Sequence, residues 1–192
     1  MPELHERIIL DLCGGTGSWS KPYREAGYDV RIIDPQVWIG GDGGTGDVRL
    51  LEYIPVGIHG ILAAPPCTDL SVSGARWWEA KGEEALLTAL SIADACSRIV
   101  LMHNPKWWAL ENPVGRLRRY YGPPTYMFHP CDHGDRYTKK TCLWGKFTTP
   151  DKTPVEPTEG SKMHKLPPGP DRARLRSMTP PGFSRAFFEA NP

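Results

Sequence analysis

The sequence predicts an α/β protein built on a mostly parallel, twisted sheet with helices on both faces. Three observations carry this. Short apolar runs rich in Ile, Leu and Val recur along the chain and read as buried strands. A long segment with helical period separates two of them. Glycine- or proline-rich loops close the runs, so strands alternate with helices as in βαβ units. The 192 residues can bury one substantial core, and residues 1–192 are expected to form a single domain.

The elements follow in order. "RIILDLCGGTGSWS" (Arg7–Ser20) is an apolar β-rich run, then a glycine loop, then a helix start. "YDVRIIDPQ" (Tyr28–Gln36) is a second strand ending in Asp34. "GIHGILAAPPC" (Gly57–Cys67) contains a third, stopped by its prolines. "KGEEALLTALSIADACSRIVLMHNP" (Lys81–Pro105) has helical period and ends before a proline. "WWALENP" (Trp107–Pro113) and "KKTCLWG" (Lys139–Gly145) read as further strands. Residues 148–170 are proline-rich, polar and aperiodic, which predicts a long surface loop or a partly disordered segment. "TPPGFSRAFFEANP" (Thr179–Pro192) predicts a C-terminal helix capped by Thr179.

Composition narrows the class. The net charge of +1 hides an asymmetry: residues 1–79 carry 6 basic and 11 acidic side chains, residues 80–192 carry 17 and 11. A basic second half suits a polyanionic partner. Five irregularly spaced cysteines do not form a disulfide framework, so a reducing cytoplasm is expected. No signal peptide is recognisable, and no apolar run reaches the length of a membrane span. "HPCDHGD" (His129–Asp135) packs its potential metal ligands too closely, with no partner pair, so no metal is expected.

Four stretches carry chemistry. "DLCGGTGS" (Asp11–Ser18) follows the first strand directly. Its glycines let the backbone pass close to a ligand, although nicotinamide enzymes and methyl-transferring enzymes both use such a loop. Asp34 suits a pair of ribose hydroxyls, and Asp47, in "GDV" (Gly46–Val48), an adenine amino group. In "APPCTDLS" (Ala64–Ser71) two prolines hold Cys67 at a defined place. A packing cysteine does not need that; a nucleophile does. In "ALENPV" (Ala109–Val114) Glu111 stands at the end of an apolar strand, where α/β sheets bind ligands. A carboxyl there can hold a proton for a ring nitrogen. "DRYTKKT" (Asp135–Thr141) is a cluster of donors for phosphate or a substrate carbonyl.

The order of these motifs resembles the cytosine-C5 DNA methyltransferase family, and within it compact phage-type members without a large target-recognition domain. The resemblance runs from Ile8 to Gly145, with residues 148–170 where the recognition domain would stand. It implies a Rossmann-like S-adenosylmethionine-dependent fold and methyl transfer through a covalent Cys67 adduct at cytosine C6. It implies catalytic roles for Cys67, Glu111 and Asn112, with Arg136 or Lys140 on the cytosine O2 side. It places the cofactor on Asp11, Cys13, Gly15, Thr16, Gly17, Ser18, Asp34, Pro35, Asp47, Val48 and Pro65. Departures are Cys13 for an aromatic, Pro113 for a valine, and Thr138 and Lys140 for two arginines.

For DNA, Arg116, Arg118 and Arg119 in "GRLRRYYGPP" (Gly115–Pro124), with Ser71 and Arg76, are the expected contacts. Trp77, Trp78, Tyr120 and Tyr121 are stacking or core aromatics. The expected substrate is duplex DNA with its base flipped out, or a single strand. The protein is expected to be monomeric, without a membrane partner, and in the host cytoplasm if phage-encoded. Alternatives are an RNA cytosine-C5 methyltransferase and a non-catalytic cofactor- or nucleic-acid-binding relative. A nicotinamide-linked oxidoreductase would leave "PPC" and "ENP" without a role.

Overall fold

Six strands form one mixed sheet: β1 (Ile8–Leu12), β2 (Asp29–Ile33), β3 (Ile58–Ala63), β4 (Trp107–Pro113), β5 (Tyr126–Phe128) and β6 (Thr141–Lys146). The structure is a computed structural model that describes residues 3–36, 46–51 and 56–192. The strand order is β2-β1-β3-β4-β6-β5. β2, β1, β3 and β4 pair in parallel, while β6 runs antiparallel to both β4 and β5. The chain leaves β1 toward β2 on one side and returns to β3 on the other. That reversal opens a crevice at the carboxyl ends of the parallel strands.

Side chains alternate across the sheet with period two. Leu10 and Leu12 of β1, Ile61 and Ala63 of β3, Leu110 of β4, and Cys142 and Trp144 of β6 pack on one face. Ala89, Ala93, Cys96, Ile99 and Val100 of helix α2 cover them; an α1 (Lys21–Glu25) precedes α2 (Trp78–His103) in the chain. Ile9, Leu62, Trp107, Ala109 and Leu143 point to the other face. They meet Tyr23 of α1 and Phe183 and Phe187 of the C-terminal helix. Between α2 and that helix lie three short ones, α3 (Arg118–Tyr121), α4 (Lys162–Lys165) and α5 (Arg172–Ser177); the last is α6 (Pro181–Ala190).

Four sequence expectations change. The helix after the glycine loop begins only at Lys21 and lasts five residues, with turns filling the interval. The long helix starts at Trp78 and breaks at Gly82 (φ 71°), then ends on left-handed Asn104 before Pro105. It holds an 18-residue window of mean hydropathy 1.6, so one helix is apolar and long enough to span a bilayer by length and composition. Its alanine-rich stripe against the sheet is the pattern of a core helix. Thr179 does not cap α6: the cap position is Pro180, and the Thr179 amide donates to Ser18 Oγ instead (2.8 Å).

The proline-rich segment is laid along the loop before β6. Thr153 N–H donates to Asp132 O, Val155 N–H to Cys131 O, Glu159 N–H to Arg136 O, and Thr138 N–H to Gly160 O, all at 2.8–2.9 Å. His133 fixes the joint: its ring meets Asp151 O (3.0 Å) and Tyr126 Oη (3.1 Å) and packs edge-on against Phe128 and Phe183. His133, the second histidine of "HPCDHGD", is thus part of the aromatic core. β5, which the sequence reading did not separate, is the short edge strand that this cluster holds.

Candidate active site

Four loops meet at the carboxyl ends of β1, β2, β3 and β4, because those strands are hydrogen-bonded neighbours running one way. Motifs far apart in sequence become adjacent there.

The glycine loop leaves β1 through Cys13, a non-glycine residue at φ 56°, whose N–H donates to Ile33 O (2.8 Å). Gly15 N–H donates to Asp34 Oδ2 (3.0 Å), and Gln36 N–H to Asp34 Oδ1 (2.9 Å). Asp34 thus ties the loop to the end of β2 and keeps a lone pair on each oxygen. Asp11 is fully buried. Ser20 Oγ donates to its Oδ2, while Oδ1 has no partner among the described residues. Burial pushes its carboxyl up to about 6, against the opposing pull of Ser20 and Arg24. A Cβ on Gly14 would lie 2.4 Å from the Asp11 carboxylate, so only glycine lets the loop pass there.

These features fit a nucleoside that carries an amino acid on its ribose through sulfur, as S-adenosylmethionine does. The unpartnered Asp11 Oδ1 suits its ammonium, and Asp34 suits its ribose. Gly17, at φ 66°, and half-buried Ser18 continue the turn. Thr16 and Pro35 are exposed beside it. Asp47 is held by Arg49 through paired bonds (3.0 and 2.6 Å), so an adenine amino group would share it with a guanidinium. Val48 is a core residue. The Cys13 thiol is pushed up, first by its contact with the Cys96 thiol and then by burial.

The Cys67 loop leaves β3 beside this turn, with Ala64 N–H bonded to Leu12 O (2.9 Å). Three bonds fasten it to the end of β4. Asn112 Nδ2 donates to Pro65 O (2.9 Å), Arg116 N–H to Leu70 O (2.8 Å), and Val72 N–H to Val114 O (2.9 Å). A Cβ on Gly115 would fall 1.9 Å from Leu70 O. Cys67 O accepts from Leu70 and Ser71 N–H, which folds the next residues into a turn.

Cys67, Glu111, Lys139 and Arg176 form one electrostatic group. Burial, then the Glu111 charge, pushes the Cys67 thiol up; Lys139 and Arg176 oppose the shift. Burial likewise raises Glu111, and Lys139 pulls it back. Glu111, Lys139, Thr141, Ser177 and Thr179 line a small cleft here. Lys139 Nζ donates to Arg176 O (3.0 Å).

Of the sequence-selected donors, Lys140 and Arg136 are exposed. Lys140 acts on Cys142, and Arg136 lies where Glu159 is tied to the loop. Lys139 and Arg176 are the cations beside Cys67, and neither was selected from the sequence. The doublet Lys139-Lys140 was visible, but not which lysine turns inward. Lys139 shares the parity of Thr141 and Leu143, and Leu143 is the register partner of Glu111.

Ser71 is buried and caps the next turn, with Ser73 N–H on its Oγ (3.3 Å). Arg76 lies over Trp77 (5.0 Å) and Arg116 over Trp78 (4.1 Å). Arg118 and Arg119 are exposed. Tyr121 bonds Ser97 Oγ (2.9 Å) and packs on Trp144, whereas Tyr120 is exposed.

No protein-family model and no curated protein sequence matches the chain. Among solved structures it is similar to a candidate DNA modification methyltransferase encoded within an E. coli prophage, at 18% identity and a TM-score of 0.46. The match covers 73% of this chain and 47% of that one, so the chain spans about half the length of that protein.

Proposed function

We propose that the protein transfers a methyl group from S-adenosylmethionine to C5 of cytosine in DNA, through a covalent Cys67 adduct. The observation that carries this reading is that Glu111 and Lys139 line one cleft at the end of β4, to which Asn112 fastens the Cys67 loop through Pro65, beside a glycine loop whose buried Asp11 Oδ1 has no partner among the described residues.

Cytosine C5 is a weak nucleophile. Attack of the Cys67 sulfur on C6 breaks the ring's conjugation and makes C5 enamine-like. Charge then grows on N3 and O2. Burial pushes the Glu111 carboxyl up, so it can take up a proton as the base enters and share it with N3. Lys139 is the donor for O2, held in place by the Arg176 carbonyl. Asn112 anchors the Cys67 loop through Pro65 and so fixes the sulfur. Asp11, Gly15 and Asp34 would hold the cofactor. When bound, S-adenosylmethionine supplies an electrophilic methyl group. The Cys67 thiol loses its proton to solvent as it attacks; afterwards the C5 proton leaves to solvent, the N3 proton returns to Glu111, and the C6–sulfur bond breaks to restore the ring and release the thiolate.

Arg76, Arg116, Arg118 and Arg119 flank the Cys67 loop and suit a nucleic-acid backbone. Their aromatic neighbours Trp77 and Tyr120 are exposed for stacking.

The test is incubation with labelled S-adenosylmethionine and, separately, duplex DNA, single-stranded DNA and RNA, followed by digestion to nucleosides. Label in 5-methyl-2′-deoxycytidine is the expected result. Label in 5-methylcytidine would move the substrate to RNA, and label in neither would overturn the reading.

A further inference from the structure

We propose that Arg172 and Arg176 form a clamp for the phosphate of the target nucleotide, on the helix whose end borders the Glu111–Lys139 cleft. The inference rests on the reading above for the identity of the base, but not for the anion site itself.

Residues 161–178 carry five basic side chains and one acidic. Most of these charges are already used. Lys162 pairs with Glu159 (2.7 Å), Lys165 donates to Glu159 O (3.2 Å), and Arg174 pairs with Asp171 (3.2 Å). Arg172 and Arg176 have no carboxylate partner among the described residues. They are four apart on α5, hence on one helix face, with Arg174 turned away. Arg172 Nε is buried and has no acceptor among the described residues, a costly state for a donor unless a ligand fills it.

The place of α5 gives the face its meaning. Its C-terminal end is fastened to the site twice, through Lys139 Nζ on Arg176 O and Thr179 N–H on Ser18 Oγ. Ser177 and Thr179, on either side of that end, line the cleft with Glu111. Arg176 is near enough for its charge to act on Cys67. A base with C6 against Cys67 carries its phosphate one sugar away, and a planar guanidinium fork matches phosphate geometry. The phosphate can belong to a polymer or to a free nucleotide.

The experiment uses the full chain and a fluorescent single-stranded oligonucleotide with one dC, titrated by anisotropy at several salt concentrations. Variants are Arg172→Ala, Arg176→Ala, their combination, and Arg174→Ala. The double variant is expected to bind about 100-fold more weakly, with a salt slope shallower by about 0.7. Arg174→Ala is expected to bind as wild type. S-adenosylmethionine affinity by calorimetry should be unchanged in all, which checks folding without use of the phosphate.

Wild-type binding in the double variant, or an equal loss in Arg174→Ala, overturns the clamp. Deoxycytidine monophosphate that competes as well as the oligonucleotide assigns the site to free nucleotides; weak competition assigns it to the polymer. The two readings fail separately. Clamp-dependent binding without any methylated cytosine sinks the methyl transfer alone, and methyl transfer with wild-type binding in the double variant sinks the clamp alone.

Discussion

Asp11 is the residue at which burial and ligand chemistry meet. Its raised value means the folded protein holds a proton that the unfolded chain releases. Ionised Asp11 therefore opposes folding above about pH 6, by about 3 kcal/mol. That cost is relieved as the pH falls toward about 4. A bound ammonium reverses the preference. S-adenosylmethionine affinity should therefore be greatest near about pH 7, weaken roughly tenfold per unit below about pH 6 as Asp11 takes up its proton, and fall again above about pH 8 as the ligand's own ammonium is lost. Asp11→Asn should remove that slope, weaken binding, and raise the melting temperature of the ligand-free protein at about pH 8. Calorimetry and thermal melts across pH check both.

Cys67 and Glu111 give a second test at this scale. Glu111 raises the thiol by its charge, and Lys139 opposes it. Glu111→Gln should therefore speed Cys67 alkylation by iodoacetamide at about pH 8 while abolishing methyl transfer. Lys139→Met should slow alkylation. If Glu111→Gln leaves the alkylation rate unchanged, the two side chains are not coupled. Cys67 and Glu111 were legible because each interrupts an apolar run with a group that packing does not require. Lys139 was not, because inward and outward lysines differ by one residue in register and the sequence does not print the register.

At the scale of elements, what matters is the lacing of two loops. The Cys67 loop has little helical or strand structure of its own. Asn112, Val114 and Arg116 supply its hydrogen bonds from the next strand end. Gly115→Ala drives a methyl into Leu70 O, so the lacing must open. The expected result is a loss of about 1–3 kcal/mol in stability and at least tenfold in methyl transfer, with cofactor affinity kept. Equal losses of cofactor affinity would place the damage elsewhere. Strands β1, β3 and β4 were legible from their apolar runs. The helix after the glycine loop was not, since turns held by Gly17 and Ser20 take up the chain that a helix would have used. The order of residues 148–160 was also hidden, because its bonds run to the backbone of another loop and leave no periodicity.

At the scale of the molecule, the sheet order turns chain order into a site. Glycine loop, Cys67 loop and Glu111 follow one another along the chain and sit side by side across β1, β3 and β4. α6 closes the opposite face. Tyr23 Oη donates to Asn191 O (2.9 Å), and Asn191 exchanges bonds with Thr148 (2.7 and 2.9 Å). The helix thereby joins α1 to the end of β6. The class of fold was legible from alternation of elements; the basic wall made by α5 was not, because charge in a proline-rich stretch reads as solvated loop.

Methyl transfer by this route requires that Cys67 attack a cytosine ring. The most direct measurement uses DNA in which 5-fluorocytosine replaces cytosine, incubated with S-adenosylmethionine and run on a denaturing gel. Fluorine at C5 cannot leave as a proton, so elimination stops and the sulfur–C6 bond persists. The account predicts a shifted band on the wild type, absent in Cys67→Ser and dependent on the cofactor. A band that survives Cys67→Ser, or no band on either duplex or single-stranded DNA, would contradict it.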